Sequence, residues 1–227
     1  MIKLIKNISI YSFGNILLTG ISFFLLPIYT RILSPSDYGQ LELLYLIAGI
    51  LVILFGFNIS IGYDRIYFVN KDIKSRRTLF MTGQVFNIIC SVVFVLILFT
   101  NIDYFSKIVL DFEQGNYFLK LITIATVVDV LCQIPMNNLR VRNKAWPYVQ
   151  VSIVTLVSTV SLTIYFIAFI DLGVVGVLYA KILGSLISLI YLYYLTWSEF
   201  HFQLSNGMLL SMLSFSIFLI PSNLSSL

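Results

Sequence analysis

The apolar runs of this chain are too long, and too bare of charge, for a water-soluble core. Asn7–Thr30 holds no charged residue, and neither do Leu43–Gly62 and Leu79–Thr100. One helical crossing of a bilayer core takes roughly 20 such residues. Four more runs follow: Leu121–Leu139 with Asp129 inside it, Ala145–Ile170, Leu172–Trp197 with Lys181 inside it, and Phe202–Leu227. They are continuously apolar and do not alternate, which predicts helices over barrel strands. Composition agrees. Of the 227 residues 59% are hydrophobic and only 11% charged, with a mean hydropathy of +0.97, too little charge to cover a soluble surface. The expected fold class is all-α, a polytopic membrane helical bundle.

The cations between the runs set the orientation. Lys3 and Lys6 precede the first run. Arg65, Lys71, Lys74, Arg76 and Arg77 follow the second, and Arg140, Arg142 and Lys144 follow the fourth. These connections fall on one side, and the opposite side has only Arg31, Lys107 and Lys120, next to the acids Asp103, Asp111 and Glu113. Cytoplasmic loops carry the Lys and Arg excess, so the N-terminus is expected inside. The net charge of +4 is thereby explained by topology, with no basic cluster of the kind that binds nucleic acid. The first run is too long for a signal peptide and no small-residue cleavage site follows it, so it reads as an uncleaved helix. Tyr63, Tyr67, Trp146, Tyr148 and Trp197 fall near run ends, as interfacial aromatics do. The last run stops inside an apolar helix at Ser214–Leu227, which marks the chain as an expected fragment or truncation of a longer protein.

Motifs of soluble catalysis are missing from the sequence: there is no GxxxxGK[ST], HExxH, GxSxG or GxGxxG. Cys90 and Cys132 lie inside apolar runs without CxxC spacing and read as inert thiols. The single His201 cannot build a metal site alone. Neither an enzyme nor a resident metal or cofactor is expected.

Polar groups inside the runs carry what chemistry there is. A central Asp, Lys or Arg costs roughly 2.5–3.5 kcal/mol on insertion scales. Asp129 and Lys181, the one acid and the one base within the runs, come at matching depth below the outer boundary and could pair. One reading is a structural ion pair, the other a polar cavity that meets substrate or a coupling ion. Asn15, Asn58 and Asn87 read as interhelical hydrogen-bonding groups. Between the first two runs, Pro27, Arg31 and Ser34–Gly39 read as a helix end, an interfacial cation and a tight turn.

The stretch Leu26-Pro27-Ile28-Tyr29-Thr30-Arg31-Ile32-Leu33-Ser34-Pro35-Ser36-Asp37-Tyr38-Gly39 resembles the first-helix signature of polysaccharide biosynthesis (Wzx-type) flippases of the multidrug/oligosaccharidyl-lipid/polysaccharide exporter superfamily. Gly62–Phe68, Gln133–Arg142, Leu172–Gly176 and Phe218–Pro221 resemble further segments of that family. The resemblance implies two six-helix lobes around a cationic central cavity with alternating access in the bacterial inner membrane. Residues 1–206 would form the first lobe and 207–227 the start of the second, and a lone lobe is expected to be inactive. The implied substrate is an oligosaccharide repeat unit on undecaprenyl pyrophosphate, with H⁺ or Na⁺ as coupling ion and polysaccharide polymerase machinery as a partner. Arg31, Arg65, Arg140 and Lys181 are the candidates for the cationic lining, and Asp129 for the coupling site. Arg31, Arg65 and Arg140 read equally well as interfacial anchors. The alternatives are a lipid II flippase or cation-coupled drug exporter of the same superfamily, and a membrane polysaccharide polymerase.

Overall fold

A computed structural model describes residues 2–110 and 114–225, with residues 2–8, 22 and 224 described by backbone alone. Asp111 and Glu113, counted above for orientation, lie outside the described residues, as do the side chains of Lys3 and Lys6. The described residues are helical almost throughout: α1 (Ile2–Ile32), α2 (Pro35–Gly56), α3 (Ile59–Val69), α4 (Ile73–Thr100), α5 (Ile102–Val109), α6 (Gly115–Val141), α7 (Ala145–Ile164), α8 (Gly173–Thr196), α9 (Asn206–Ser216) and α10 (Ile220–Leu224). A π-helical turn, Tyr165–Phe169, extends α7. Among the described residues six segments are long and apolar enough to cross a bilayer: Ser9–Ile32, Pro35–Gly56, Ile73–Thr100, Gly115–Val141, Ala145–Phe169 and Gly173–Glu199. The chain is a multi-pass membrane protein.

Several boundaries differ from the sequence expectation, each for a local reason. No separate turn covers Ser34–Gly39. Ser34 caps α2 by accepting from the Asp37 N–H at 3.1 Å, Asp37 returns a bond to the Ser34 N–H, and Pro35 opens the helix where a missing N–H costs nothing. Pro27 does not end α1, which continues to Ile32. Thr30 Oγ1 bonds back to the Leu26 carbonyl at 3.0 Å one turn earlier. The expected helix over Leu43–Gly62 is two helices. Phe57 and Asn58 both take left-handed backbone, at φ 46° and 53°, and break the run. Phe57 is held in that disfavoured state by Phe86 and Phe94, each with ring centroids 6.0 Å away. The seventh run does not form one spanning helix. Its residues are extended to Ser205, helical in α9, and continue through a 3₁₀ turn into α10.

Bundle packing follows the small residues. α1 lies along α7 and touches α2 sparsely. Gly14 makes the α1–α7 approach possible, since a Cβ there would stand 2.8 Å from the Tyr148 ring, and the Tyr148 hydroxyl donates to Asn15 Oδ1. Gly184 does the same between α8 and α7: its Cβ would meet Thr159 Oγ1 at 2.4 Å, and Thr155 and Ser188 share a 2.7 Å hydrogen bond one turn along. At the far end Gly62 of α3 seats α9, its N–H donating to Ser216 Oγ at 3.2 Å.

Pro135 inside α6 removes the N–H that would bond the Leu131 carbonyl four residues earlier. Lipid cannot replace that donor. Gln84 of α4 does so, with Nε2 3.1 Å from the Leu131 carbonyl and 2.6 Å from the Tyr193 hydroxyl of α8. One turn on, Asn87 Nδ2 donates to the Val130 carbonyl at 3.1 Å, the interhelical bond expected of it. The buried Gln84 and Asn87 therefore clamp α4 to α6. Gln84→Leu should lower stability by about 1–2 kcal/mol. The thermal midpoint in detergent checks this, and Gln84→Met, which removes the same donor, should fall with it.

Candidate functional site

The sparse contact between α1 and α2 leaves a space inside the six-helix unit. It is a cavity of about 800 Å³ walled by α1, α2, α6, α7 and α8. Its lining comes from the half of the bundle that carries the α1–α2 and α7–α8 junctions, the side opposite the basic connections. α1 supplies Tyr29, α2 supplies Tyr38, Glu42 and Tyr45, and α7 supplies Thr155, Thr159 and Thr163 at one-turn spacing. Asp129 of α6 and Lys181 and Ser185 of α8 face them.

The charged centre is a three-residue arrangement. Lys181 Nζ stands 3.1 Å from Asp129 Oδ2, and Ser185 Oγ donates to Asp129 Oδ1 at 2.8 Å. Both carboxylate oxygens of Asp129 are thus engaged. Lys181 and Ser185 are four residues apart on α8, so one helix face presents both donors. The Lys181 ammonium also lies 5.5 Å from the centroid of the Tyr45 ring, a favourable place for a cation. Tyr29 and Tyr45 bring their hydroxyls to 3.4 Å of each other.

Glu42 is the acid missed in the sequence. Starting the second helix at Leu43 placed it outside the bilayer and left Asp129 as the only intramembrane acid. The Ser34-Pro35-Ser36-Asp37 capping box was the signal that the helix begins eight residues earlier. Glu42 sits within the α2 span, lines the cavity, and pairs with no cation among the described residues.

The four candidate cations are not one cluster. Lys181 alone lines the cavity. Arg31 is exposed in the last turn of α1, where a cation suits the helix dipole. Arg65 lies on α3 with its guanidinium 4.3 Å from the Phe215 ring of α9. Arg140, at the end of α6, pairs with Asp64 of α3. Arg142 pairs with Glu199 beyond the end of α8, so the basic connections and the α8 terminus share one end of the bundle.

Burial pushes the Asp64 carboxyl above its ordinary range, and Arg140 only partly offsets that. A raised carboxyl favours the folded state while protonated and loses that contribution as pH rises through the raised value. Asp64→Asn should therefore gain stability relative to the parent chain as pH rises from about 4 to about 7. Thermal midpoints at the two pH values measure the gain. At the cavity, Lys181→Met should destabilise by about 1 kcal/mol by leaving the half-buried Asp129 without its counter-charge. Asp129→Asn combined with Lys181→Met should recover most of that loss, read as a double-mutant cycle on thermal midpoints.

A family model described as polysaccharide biosynthesis protein matches residues 28–227. No curated protein matches the chain by sequence. Solved structures share its fold at low identity. An outward-facing multidrug resistance MATE family transporter of the MOP superfamily superposes with a TM-score of 0.78 at 16% identity, over 97% of this chain and 53% of that one. Its inward-facing counterpart gives 0.72 at 17% identity, over 96% and 54%. A MOP superfamily transporter from Pyrococcus furiosus, described as having a binding pocket of reverse polarity, gives 0.71 at 15% identity, over 99% and 51%. The chain spans about half the length of these structures.

Proposed function

The chain belongs to the polysaccharide biosynthesis protein family, and from that premise we propose that it is the first lobe of an exporter that moves a polyprenyl-linked oligosaccharide across a bacterial inner membrane. The observation that carries this reading is the 800 Å³ cavity lined by charged and hydroxyl groups within the membrane-spanning helices. Such groups are retained in a bilayer where they meet water, an ion or a polar substrate. The substrate is an undecaprenyl-pyrophosphate-linked repeat unit. Its apolar chain stays in lipid while the anionic head moves through a polar path about 30 Å long. Residues 1–206 form the first lobe, residues 207–227 open the second, and alternating access needs both. Arg31, Arg65 and Arg140, outside the lobe's own cavity, are proposed to line a central cleft that the second lobe completes.

Glu42 refines the coupling role. Asp129 is occupied by Lys181 and Ser185, so Glu42 is the carboxylate left to meet H⁺ or Na⁺. The same unpaired acid among tyrosine rings favours a second reading, a cation-coupled exporter of organic cations, since such walls attract positive charge. A catalytic role as a polymerase is not part of the proposal.

Deleting the gene of the full-length protein separates these readings. The flippase reading expects repeat units to accumulate on their lipid carrier at the inner face, with loss of surface polysaccharide. Normal surface polysaccharide, together with raised sensitivity to cationic drugs, would replace it with the second reading.

A further inference from the structure

A second pocket, of about 410 Å³, lies at the basic end of the bundle, away from the cavity above. The end of α3 (Tyr67, Phe68), the start of α4 (Ile73, Arg76), the α6–α7 connection (Val141, Arg142, Asn143) and Glu199 form its walls. Arg76 is fixed on two sides. Its guanidinium lies 4.3 Å from the Tyr67 ring centroid, and its Nε donates to the Asn70 carbonyl at 2.7 Å. That leaves the outer edge of the fork open, and Arg76 has no carboxylate partner among the described residues. Arg142 is neutralised by the buried Glu199, so the pocket carries one cation in excess. Lys144 stands just beyond Arg142. Burial, and after it the adjacent Arg142 charge, hold its ammonium below the usual lysine range.

The rim is apolar and uncovered. Phe68, Val69 and Ile73 are 64%, 71% and 68% exposed. Trp197, 74% exposed at the end of α8, marks the same level as an interfacial aromatic. A preformed guanidinium fork below an apolar rim at the membrane surface matches a molecule with a phosphate head and an acyl chain. An acidic peptide would satisfy the fork but would leave the rim in water. From this geometry we propose that the pocket bounded by Arg76, Arg142 and Tyr67 binds the phosphate head group of an anionic phospholipid, with the acyl chain over Phe68, Val69 and Ile73. This lipid is a bound component of the inner-end surface, distinct from any transported substrate, and the proposal does not depend on the transport reading.

The test uses the full-length protein in detergent micelles doped with equal amounts of dioleoylphosphatidylcholine and dioleoylphosphatidylglycerol, with bound lipid counted by native mass spectrometry. Retained phosphatidylglycerol should exceed phosphatidylcholine at equal doping. Arg76→Gln should cut that retention by about tenfold, the loss expected for one charge-assisted hydrogen-bonded contact. Lys107→Gln, which removes a cation on α5 outside the pocket, should fold and keep the retention. Excess inorganic phosphate should leave the lipid in place. Equal retention of the two lipids would overturn the proposal. So would unchanged retention in a folded Arg76→Gln protein, or displacement by inorganic phosphate, which would make the pocket a free-anion site.

Discussion

Lipid offers no hydrogen bonds, so every polar group this chain carries into the bilayer has to find its partner in the chain or in a water-filled space. That constraint organises the bundle. It makes the spans helical. It also explains why Pro135 in α6 comes with Gln84 on the facing face of α4, whose amide reaches the carbonyl that the proline frees. Asn87 serves the same end one turn along that seam, and Asn15 on the seam between α1 and α7. Gly14 and Gly184 let backbones approach closely enough for these short polar side chains to meet. Apolar side chains, by contrast, face lipid at little cost, and many large ones are exposed.

The same constraint separates two kinds of intramembrane charge. Asp129 is fully engaged, by Lys181 and Ser185 from one face of α8. Glu42 pairs with no cation among the described residues, takes a hydrogen bond from the Tyr38 hydroxyl and lines a cavity. A carboxylate can remain in that position only where water or an ion reaches it. In the proposed exporter the cavity is an aqueous compartment walled by tyrosine and threonine hydroxyls.

Much of this was legible in the sequence. The six spans, their order and the clustering of basic connections at one end follow from apolar runs and the placement of Lys and Arg. The pairing of Asp129 with Lys181 was open to inference from depth alone. Depth was reckoned from Leu121, whereas α6 starts at Gly115, so that estimate stood on a wrong boundary. What escaped were features written in backbone geometry. The α2–α3 break depends on Phe57 adopting a left-handed conformation that phenylalanine disfavours, and nothing in an apolar run announces it. The start of α2 was written in its capping box, but the polar residues Ser34–Gln40 resembled a turn. Missing it hid Glu42. Arg31, Arg65 and Arg140 look alike as interfacial cations in sequence, and all three are exposed, but only the tertiary structure shows that Arg65 rests on Phe215 and Arg140 pairs with Asp64.

The central claim is that water enters the lobe between α1 and α2. Cysteine accessibility in the full-length protein tests it most directly, with Cys90 and Cys132 first changed to alanine. Val52→Cys, deep in the cavity wall, should react with a membrane-impermeant maleimide added from outside, while Ile89→Cys, exposed to lipid on α4, should not. A Val52→Cys protein that is folded yet as unreactive as Ile89→Cys would contradict the account, because Glu42 would then face a dry apolar space.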